Sequence, residues 1–263
     1  MVLAWCAKYN VAMKFKKISA VPTSLRKAYL DSIAQPQELF LENLVSKGTP
    51  WILGDSAYAI VYDEVLVEFF VNSDLNEAPI ATFDAVMDAS GVNAVLCKSF
   101  DKQLLFAAFA RRCRVSSPGL LYRSIRDDSH TTRSDVSIRK GSVADIEAVM
   151  SINHDFFENI QELQGYADSG GLQILEKEGD VIGCGIAKQV IDTRPEVDIG
   201  MMVSAQHRKN GYGAYIVSFL KDYYLKQGIR PICGCGSENV GSQRALAKAG
   251  FVSEYRILKI AYP

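Results

Sequence analysis

The spacing of hydrophobic residues changes repeatedly along this chain, and each change predicts a new helix or strand. Apolar residues that recur every three to four positions predict helices, whereas short apolar runs bounded by glycine, proline or polar residues predict strands. From the N-terminus we predict helices at residues 22–33 and 37–45, strands at 49–53, 56–62 and 64–71, a helix at 80–89, a strand at 93–97, a helix at 101–112 and a strand at 120–125.

The C-terminal half repeats this alternation of strands and helices. Its last strands include one that is reached from another strand through a helical crossover, so we expect those two strands to be parallel. A hairpin across Gly179 and Asp180 adds antiparallel strands, and the fold class is therefore α/β with a mixed sheet. The predicted elements are a strand at residues 136–139, a helix at 143–160, strands at 172–178, 181–191 and 196–203, a helix at 215–227, a strand at 231–236, a helix at 240–249 and a strand at 252–262.

A polar segment at residues 126–135 separates the two halves. It lacks bulky apolar residues and follows a predicted strand, as linkers between domains do. A chain of 263 residues is long enough for two small domains. We therefore predict an N-terminal α/β domain at residues 1–128 and a second domain at residues 129–263.

The composition is that of a packed globular protein, with 48% hydrophobic and 22% charged residues. A net charge of −1 and a pI near 6.3 argue against nucleic acid or a membrane surface as the main partner. No apolar run approaches the roughly 20 residues of a membrane span, and the apolar start of the chain is too short for a signal peptide. We expect a cytoplasmic protein in which residues 1–12 form an extension with little structure.

The six cysteines mostly lie inside apolar runs, which predicts reduced thiols in the core. Cys233 and Cys235 are two residues apart and would lie on one face of a strand. No second pair of cysteine or histidine residues stands at metal-binding spacing, so we predict no metal site.

The segment before the helix predicted at residues 215–227 carries the strongest chemical signal. A helix that begins here directs unpaired backbone N–H groups and the positive end of its dipole at one point. Glycine at two positions removes Cβ atoms that would hold an anion away, and two cationic side chains add charge. The segment predicts a phosphate or pyrophosphate site, with a plain turn before a helix as the alternative. Its residues are Arg208, Lys209, Asn210, Gly211, Tyr212, Gly213 and Ala214.

Further motifs follow this segment at set distances. The three motifs are Arg208-x-x-Gly211-x-Gly213, Asn239-x-x-Ser242 and Lys248-x-Gly250-Phe251. Together they resemble the acyl-CoA-binding core of the GNAT superfamily of N-acetyltransferases. Residues 136–146 resemble the first strand and helix of that fold, so the resemblance covers residues 135–263. The tail from Pro231 to Ser242 is also similar to the zwittermicin-resistance type of GNAT protein.

The resemblance implies a GNAT fold for the C-terminal half and acetyl-CoA as cosubstrate. The loop at residues 208–214 would hold the coenzyme's pyrophosphate. The pantetheine arm would lie like an additional strand along Met201, Met202 and Val203, where backbone groups are open. Asn239 would contact the arm from the other side of the opening, and Ser242 belongs to the same binding motif.

Two acidic residues are candidates for the base that removes a proton from an amine acceptor. Glu196 and Asp198 lie two apart on one predicted strand and therefore share a face. We favour Asp198 because many relatives carry an acidic residue there, and the alternative is that both are ordinary exposed strand residues. Leu246 occupies the position at which many GNAT enzymes carry a proton-donating tyrosine, so Ser242, Tyr255 or water would have to serve.

The expected function is acetyl-CoA-dependent N-acetylation of the primary amine of a small molecule, with antibiotics or metabolites favoured by the resemblance. Two alternatives stay open: a non-catalytic acyl-CoA-binding sensor or scaffold, and a protein lysine or N-terminal acetyltransferase. The N-terminal half follows the same element order without an Arg-x-x-Gly-x-Gly segment. We interpret it as a degenerate GNAT-like half, against the alternative of an unrelated α+β domain.

Overall fold

A computed structural model describes residues 14–72, 79–126 and 131–263, so the extension expected at residues 1–12 lies outside the described residues. The chain forms two compact units, and each draws on separate segments of the sequence. The second unit contains Gln35–Leu39 and Ser117–Ile257, and the first contains the remaining described residues, including Leu258–Pro263. The predicted division between residues 128 and 129 stays a prediction.

The first unit is a sheet with helices packed on both faces. Its elements are β1 (Lys16–Lys17), α1 (Thr23–Ser32), α2 (Leu39–Lys47), β2 (Thr49–Leu53), β3 (Ala57–Tyr62), β4 (Val65–Val71), α3 (Pro79–Ser90), β5 (Ala94–Lys98) and α4 (Lys102–Ala108). Strands β1 to β4 are antiparallel neighbours, and β4 and β5 are parallel. One core cluster lies under α3 and α4, and a second lies under α1 and α2.

Charged side chains are buried in the first unit, and they are paired. The carboxylate of Glu68 is fully buried and accepts hydrogen bonds from Tyr58 Oη at 2.7 Å and from Arg26 Nε at 3.2 Å. Lys98 is also fully buried and donates to Tyr29 Oη at 2.5 Å. Such pairing offsets the large cost of removing these charges from water.

The second unit carries most of the C-terminal elements. They are β6 (Arg114–Ile125), β7 (Ser137–Lys140), α5 (Ile146–Ser151), α6 (Ile160–Asp168), β8 (Leu172–Lys177), β9 (Asp180–Gln189), β10 (Glu196–Val203), α7 (Tyr212–Leu225), β11 (Arg230–Gly236), α8 (Val240–Lys248) and β12 (Phe251–Ala261). The strand order is β7-β8-β9-β10-β11-β6-β12, in which β6 enters the unit at Ser117 and β12 leaves it after Ile257. Helices α7 and α8 cover one face, and α5 and α6 cover the other.

Strands β10 and β11 are parallel, as predicted, but they are paired over a short stretch. Among the described residues, Glu196–Asp198 pair with Arg230–Ile232. Beyond this stretch β10 keeps its antiparallel partner β9 as far as Val203, whereas β11 pairs with β6 from Cys233 onward. The two strands therefore separate after Asp198, and beyond it the edge of β10 that faces β11 has no strand partner in the part of the chain that the structure describes.

The single helix predicted at residues 143–160 is wrong. A 3₁₀ turn leads into α5, which ends at Ser151, and α6 begins only at Ile160. Asn153 interrupts the helix, because its Oδ1 accepts the backbone N–H groups of Phe156 and Phe157, both at 3.1 Å. The helical spacing of apolar residues arose because both short helices and the segment between them pack on one core.

Two predicted helix starts also differ from the structure. The helix predicted from residue 215 begins at Tyr212, directly after the left-handed Gly211. The helix predicted from residue 37 begins at Leu39, so residues 36–38 are not helical.

Every cysteine among the described residues is a free thiol, and Cys97, Cys184 and Cys233 are buried, as predicted for core cysteines. Cys6 lies outside the described residues. No helix in the described part of the chain has the length and apolarity needed to cross a membrane.

Two adjacent phenylalanines test the packing of the core cluster beneath α5 and α6 in the second unit. Phe157 is 3% exposed and packs beneath α6, whereas Phe156 is 37% exposed. We expect Phe157→Ala to lower the free energy of unfolding by about 3–5 kcal/mol, because it leaves a cavity. Phe156→Ala should cost less than about 1 kcal/mol. Urea unfolding followed by circular dichroism measures both, and equal losses would contradict this packing.

Candidate active site

The loop between β10 and α7 adopts an unusual backbone conformation. A 3₁₀ turn at Ala205–His207 follows β10, and Lys209 then has a φ of +66°. Gly211 has a φ of +83° and directly precedes the first residue of α7. Left-handed backbone at a non-glycine residue is uncommon and often marks a functional loop.

The N-terminus of α7 carries neither a side-chain cap nor an acidic side chain that would offset the positive end of the helix dipole. Gly211 provides no side-chain cap, and no acidic residue lies in the first helical turn. The first N–H groups of a helix have no intrahelical partner, and the helix dipole places partial positive charge there. Tyr212 and Ala214 are buried, so their contribution to this site is a backbone N–H group.

The two glycines of the loop differ in their surroundings. A Cβ atom at Gly211 would lie 3.4 Å from Arg133 Nη1 and 3.8 Å from Lys248 Nζ, so two cations converge where α7 begins. A Cβ atom at Gly213 would instead make an ordinary contact with Ala245 Cβ at 3.5 Å. The left-handed backbone therefore favours glycine at 211, whereas the structure accommodates a small side chain at 213.

Arg133 was not identified from the sequence, because it lies in the polar segment interpreted only as a linker. Its guanidinium forms two 2.8 Å hydrogen bonds with Asp135, stacks 4.2 Å above the ring of Tyr212 and donates to Asn210 O at 2.6 Å. These hydrogen bonds from Arg133 lower the pKa of Asp135. A cavity of about 520 Å³ adjoins this group, lined by Thr131, Thr132, Arg133, Ser134, Asp135, Gly211 and Lys248.

The predicted cations of the loop lie at its rim. Arg208 is exposed, and its Nε donates to Val203 O at 3.1 Å, so its side chain folds back over the end of β10. Lys209 is exposed. His207 accepts from or donates to Ser204 Oγ through Nδ1 at 2.9 Å, which fixes the turn before the loop.

The edge expected to hold the pantetheine arm lies in the opening between β10 and β11. Met202 is 4% exposed and packs toward α5 and α6, while Met201 and Val203 pack toward α7. These side chains are engaged in packing, so the strand presents its backbone N–H and C=O groups to the opening.

The Asn239-x-x-Ser242 motif forms the start of α8. Asn239 Oδ1 accepts the backbone N–H of Ser242 at 3.0 Å, which is a helix N-cap. The amide oxygen is therefore used by the helix, and the NH₂ group is what Asn239 can offer to a coenzyme. Leu246 is 2% exposed in the core beneath α8 and presents no proton donor.

Asp198 occupies the last paired position before β10 and β11 separate. The residue is half-buried, but its Oδ2 atom is buried and has no hydrogen-bond partner in the described part of the chain. Burial raises the pKa of Asp198 well above its usual range, the negative charge of Glu38 adds to this effect, and the positive charge of Arg123 opposes it. Glu196 lies two residues earlier, opposite Arg230 and farther from the opening.

Sequence patterns did not identify Glu38 or Arg123, which lie far from Asp198 in the chain. Glu38 belongs to the Gln35–Leu39 segment of the second unit and is 6% exposed. Arg123 lies in β6, is 2% exposed and donates through Nη1 to the backbone oxygens of Tyr122 at 3.1 Å and Cys233 at 3.0 Å. A signal in the sequence was the arginine inside the apolar strand predicted at residues 120–125, since a charge buried in a strand requires a partner.

Comparison with family models identifies both halves of the sequence. A model described as Acetyltransferase (GNAT) family matches residues 143–251. A second model, described as Acetyltransferase (GNAT) domain, matches residues 19–125. The prediction of a GNAT fold in the C-terminal half and a GNAT-like N-terminal half is confirmed. The degeneracy of the N-terminal half stays a prediction, and so does the assignment of the protein to the zwittermicin-resistance type.

Solved structures share this fold at low sequence identity. An acetyltransferase from the GNAT family of Colwellia psychrerythraea has a TM-score of 0.86 and 17% identity, covering 95% of this chain and 100% of its own. A GCN5-related N-acetyltransferase from Sphaerobacter thermophilus has a TM-score of 0.59 and 14% identity, covering 94% and 95%. A tandem GNAT protein from the clavulanic acid biosynthesis pathway has a TM-score of 0.58 and 12% identity, covering 94% and 97%.

A search of curated protein sequences gave no match. GNAT acetyltransferases use acetyl-CoA as cosubstrate, in agreement with the loop and the strand opening described above. With one GNAT model matching each half, the chain belongs to the GNAT acetyltransferase family and is an N-acetyltransferase that uses acetyl-CoA.

Proposed function

We propose that this protein transfers the acetyl group of acetyl-CoA to the primary amine of a small molecule, with Asp198 as the base. The observation that carries this proposal is the buried Oδ2 atom of Asp198, which has no hydrogen-bond partner in the described part of the chain and lies where β10 and β11 separate. A buried carboxylate oxygen without a donor is costly, and an amine N–H group would supply that donor.

The coenzyme would enter with its pyrophosphate at the start of α7. The N–H groups of Tyr212, Gly213 and Ala214 point there, and the charges of Arg208 and Lys209 lie at the rim. The carbonyl of Asn210 already accepts from Arg133, so this residue would contribute its backbone N–H or its side-chain amide.

The pantetheine arm would continue along β10, where the backbone of Met201, Met202 and Val203 faces the opening. Asn239 would donate its NH₂ group to the arm from the start of α8, and Ser242 would support this group through the cap. A backbone N–H group of β10 would stabilise the negative charge that develops on the thioester oxygen.

The reaction would begin with removal of a proton from the ammonium form of the acceptor by the Asp198 carboxylate. The amine nitrogen then forms a bond to the thioester carbon, and the carbon–sulfur bond breaks in favour of the thiolate of CoA. The thiolate gains one proton, the amide nitrogen loses a second, and the products are the N-acetylated amine, CoA as the thiol and one proton released to solvent.

A small acceptor agrees with the surroundings of Asp198. Glu38 and Arg123 are both almost fully buried beside it, and Phe156 approaches Gly200 two residues farther along β10, at 3.6 Å from the position of a Cβ atom. Mass spectrometry of primary alkylamines, diamines, amino acids and aminoglycosides, each incubated with acetyl-CoA, tests this class. Acetylation of a peptide array alone would favour the lysine or N-terminal acetyltransferase, and tight acetyl-CoA binding without CoA release would favour a sensor.

Asp198→Asn should reduce the rate of acetyl transfer by about 10²–10⁴-fold at neutral pH, because the general base is lost. The affinity for acetyl-CoA, measured by calorimetry, should stay within twofold of the wild type. Glu196→Gln is the matched control, since it neutralises the other acidic residue on the same face of β10. Equal rates for Asp198→Asn and the wild type would show that another residue is the base.

The raised pKa of Asp198 also predicts a stability effect with a defined sign. The native state holds this proton more tightly than the unfolded chain, so the contribution of Asp198 to stability falls as pH rises above its usual value of 3.8. Asp198→Asn has no ionisable group at this position and therefore does not lose stability in this way as the pH rises. Its melting temperature should therefore exceed that of the wild type, by more at pH 8 than at pH 5, and a difference independent of pH would contradict the shift.

The two loop glycines should respond differently to alanine. Gly211→Ala places a Cβ at a φ of +83° and 3.4 Å from Arg133 Nη1, so we expect a loss of about 1–2 kcal/mol in unfolding free energy. Acetyl-CoA affinity should fall at least tenfold. Gly213→Ala lies within α7 and its Cβ would make ordinary contacts with Ala245 and Met201, so it should be neutral or stabilising by up to about 1 kcal/mol. If Gly211→Ala binds acetyl-CoA with unchanged affinity, this loop does not bind the coenzyme as proposed.

A further inference from the structure

Arginines on strands of the second unit hydrogen-bond to the Gln35–Leu39 segment. Arg123 Nε donates to Pro36 O at 3.4 Å, and Arg230 Nη2 donates to Gln35 Oε1 at 3.0 Å and to Arg123 O at 2.8 Å. Tyr255 Oη also lies 3.4 Å from Gln35 Nε2. The segment is therefore held in place by side chains of several strands.

These contacts place the Glu38 carboxylate over β11 beside the opening. A Cβ atom on Gly234 would lie 3.5 Å from Glu38 Oε1, so the absence of a side chain at 234 makes room for this carboxylate. Gly234 lies two residues beyond Ile232, the partner of Asp198 in the register, and alternate residues of a strand share a face. Glu38 and Asp198 therefore border the point where the two strands separate.

Arg123 provides the counter-charge to both carboxylates, but it does not neutralise them. Its Nη1 is directed to the backbone oxygens of Tyr122 and Cys233, and its Nη2 atom is buried without a hydrogen-bond partner in the described part of the chain. The buried Oδ2 of Asp198 has none either. Two carboxylates and one guanidinium leave the cluster with a net negative charge when both acids are ionised.

Three further titratable groups of the described residues lie near Asp198 or Arg123. Burial, followed by the charge of Asp198, raises the pKa of Tyr166 on α6 and that of the Cys233 thiol on β11, so both stay neutral at physiological pH. Arg230 acts on Arg123 rather than on Asp198 and is directed toward Gln35. Glu38 and Arg123 are the charged groups that act on the Asp198 carboxylate among the described residues.

We propose that Glu38 is a specificity residue of the acceptor site, which holds the ammonium group of the amine between its own carboxylate and that of Asp198. An ammonium group has three N–H donors and a positive charge, so it satisfies the unpartnered Asp198 Oδ2 and balances the net charge. Two nearby carboxylates raise each other's affinity for a proton, and the site would favour a cationic acceptor over a neutral one. This inference rests on the proposed acetylation of an amine with Asp198 as base.

The test uses Glu38→Gln in the full-length protein, with Glu147→Gln as the matched control on the exposed face of α5. The substrate is the amine that the wild type acetylates best in the panel of amines. Glu38→Gln should raise KM for that amine at least tenfold while leaving the dissociation constant of acetyl-CoA within twofold. The acid limb of kcat/KM should move to lower pH, because Asp198 then loses the neighbouring negative charge. A purely structural role for Glu38 would lower the amount of folded enzyme without moving the pH profile.

Glu38→Asp separates the charge of Glu38 from its length, and a double-mutant cycle tests the interaction of the two carboxylates without substrate. Glu38→Asp retains the charge and should retain the pH profile, with KM between those of the wild type and Glu38→Gln. The effects of Glu38→Gln and Asp198→Asn on melting temperature at pH 8 should be non-additive, since either change relieves the same repulsion. Additive effects together with an unchanged KM overturn the proposal. If the wild type acetylates no amine, the proposed function fails, and additivity in the cycle still decides whether the two carboxylates interact.

Discussion

The separation of β10 from β11 after Asp198 and Ile232 is the constraint on which the second unit depends. Backbone N–H and C=O groups inside a protein need partners, and a strand that loses its neighbour exposes an edge that an extended amide-containing chain can complete. The same strand ends at Val203, after which a short loop leads into the uncapped start of α7. The edge and the loop that we propose for the coenzyme's arm and phosphates are therefore consequences of one backbone arrangement.

The two ends of this opening differ in charge, and the difference suits the two substrates. Arg133 and Lys248 converge on the start of α7, where an anionic diphosphate is expected, whereas Glu38 and Asp198 lie where the strands separate. The first unit provides an internal comparison. Its buried Glu68 accepts hydrogen bonds from Tyr58 and Arg26 at both carboxylate oxygens. The carboxylate of Glu68 is thus satisfied within the first unit, whereas the buried Oδ2 of Asp198 has no hydrogen-bond partner in the described part of the chain, and this contrast is what the proposed role of Asp198 would explain.

The features that were predictable from the sequence are those encoded by neighbouring residues. The loop at residues 208–214 and the strands on either side of α7 are contiguous, so spacing and glycine content sufficed. The break between α5 and α6 was missed because Asn153 makes side-chain bonds to the backbone that resemble no apolar spacing. Glu38 and Arg123 were missed because folding alone brings residues so distant in sequence to Asp198. Glu196 and Asp198 lie on the same face of β10, so the alternation of residues along the strand could not show which of them lies at the opening. The register with β11 shows that Asp198 does.

The buried Leu246 raises the question of how the thiolate of CoA gains its proton, and the environment of Asp198 offers an answer. A carboxyl group whose pKa is raised by burial keeps the proton that it takes from the ammonium group for longer than an exposed one would. The departing thiolate needs a proton, since a thiol in water has a pKa of about 8.5, and under the proposed mechanism the proton held by Asp198 would be one source of it. One residue would then serve as base before the carbon–nitrogen bond forms and as acid when the carbon–sulfur bond breaks. If Asp198 is the base as proposed, it would take over the role that the resemblance assigns to a tyrosine at position 246, where the buried Leu246 packs in the core.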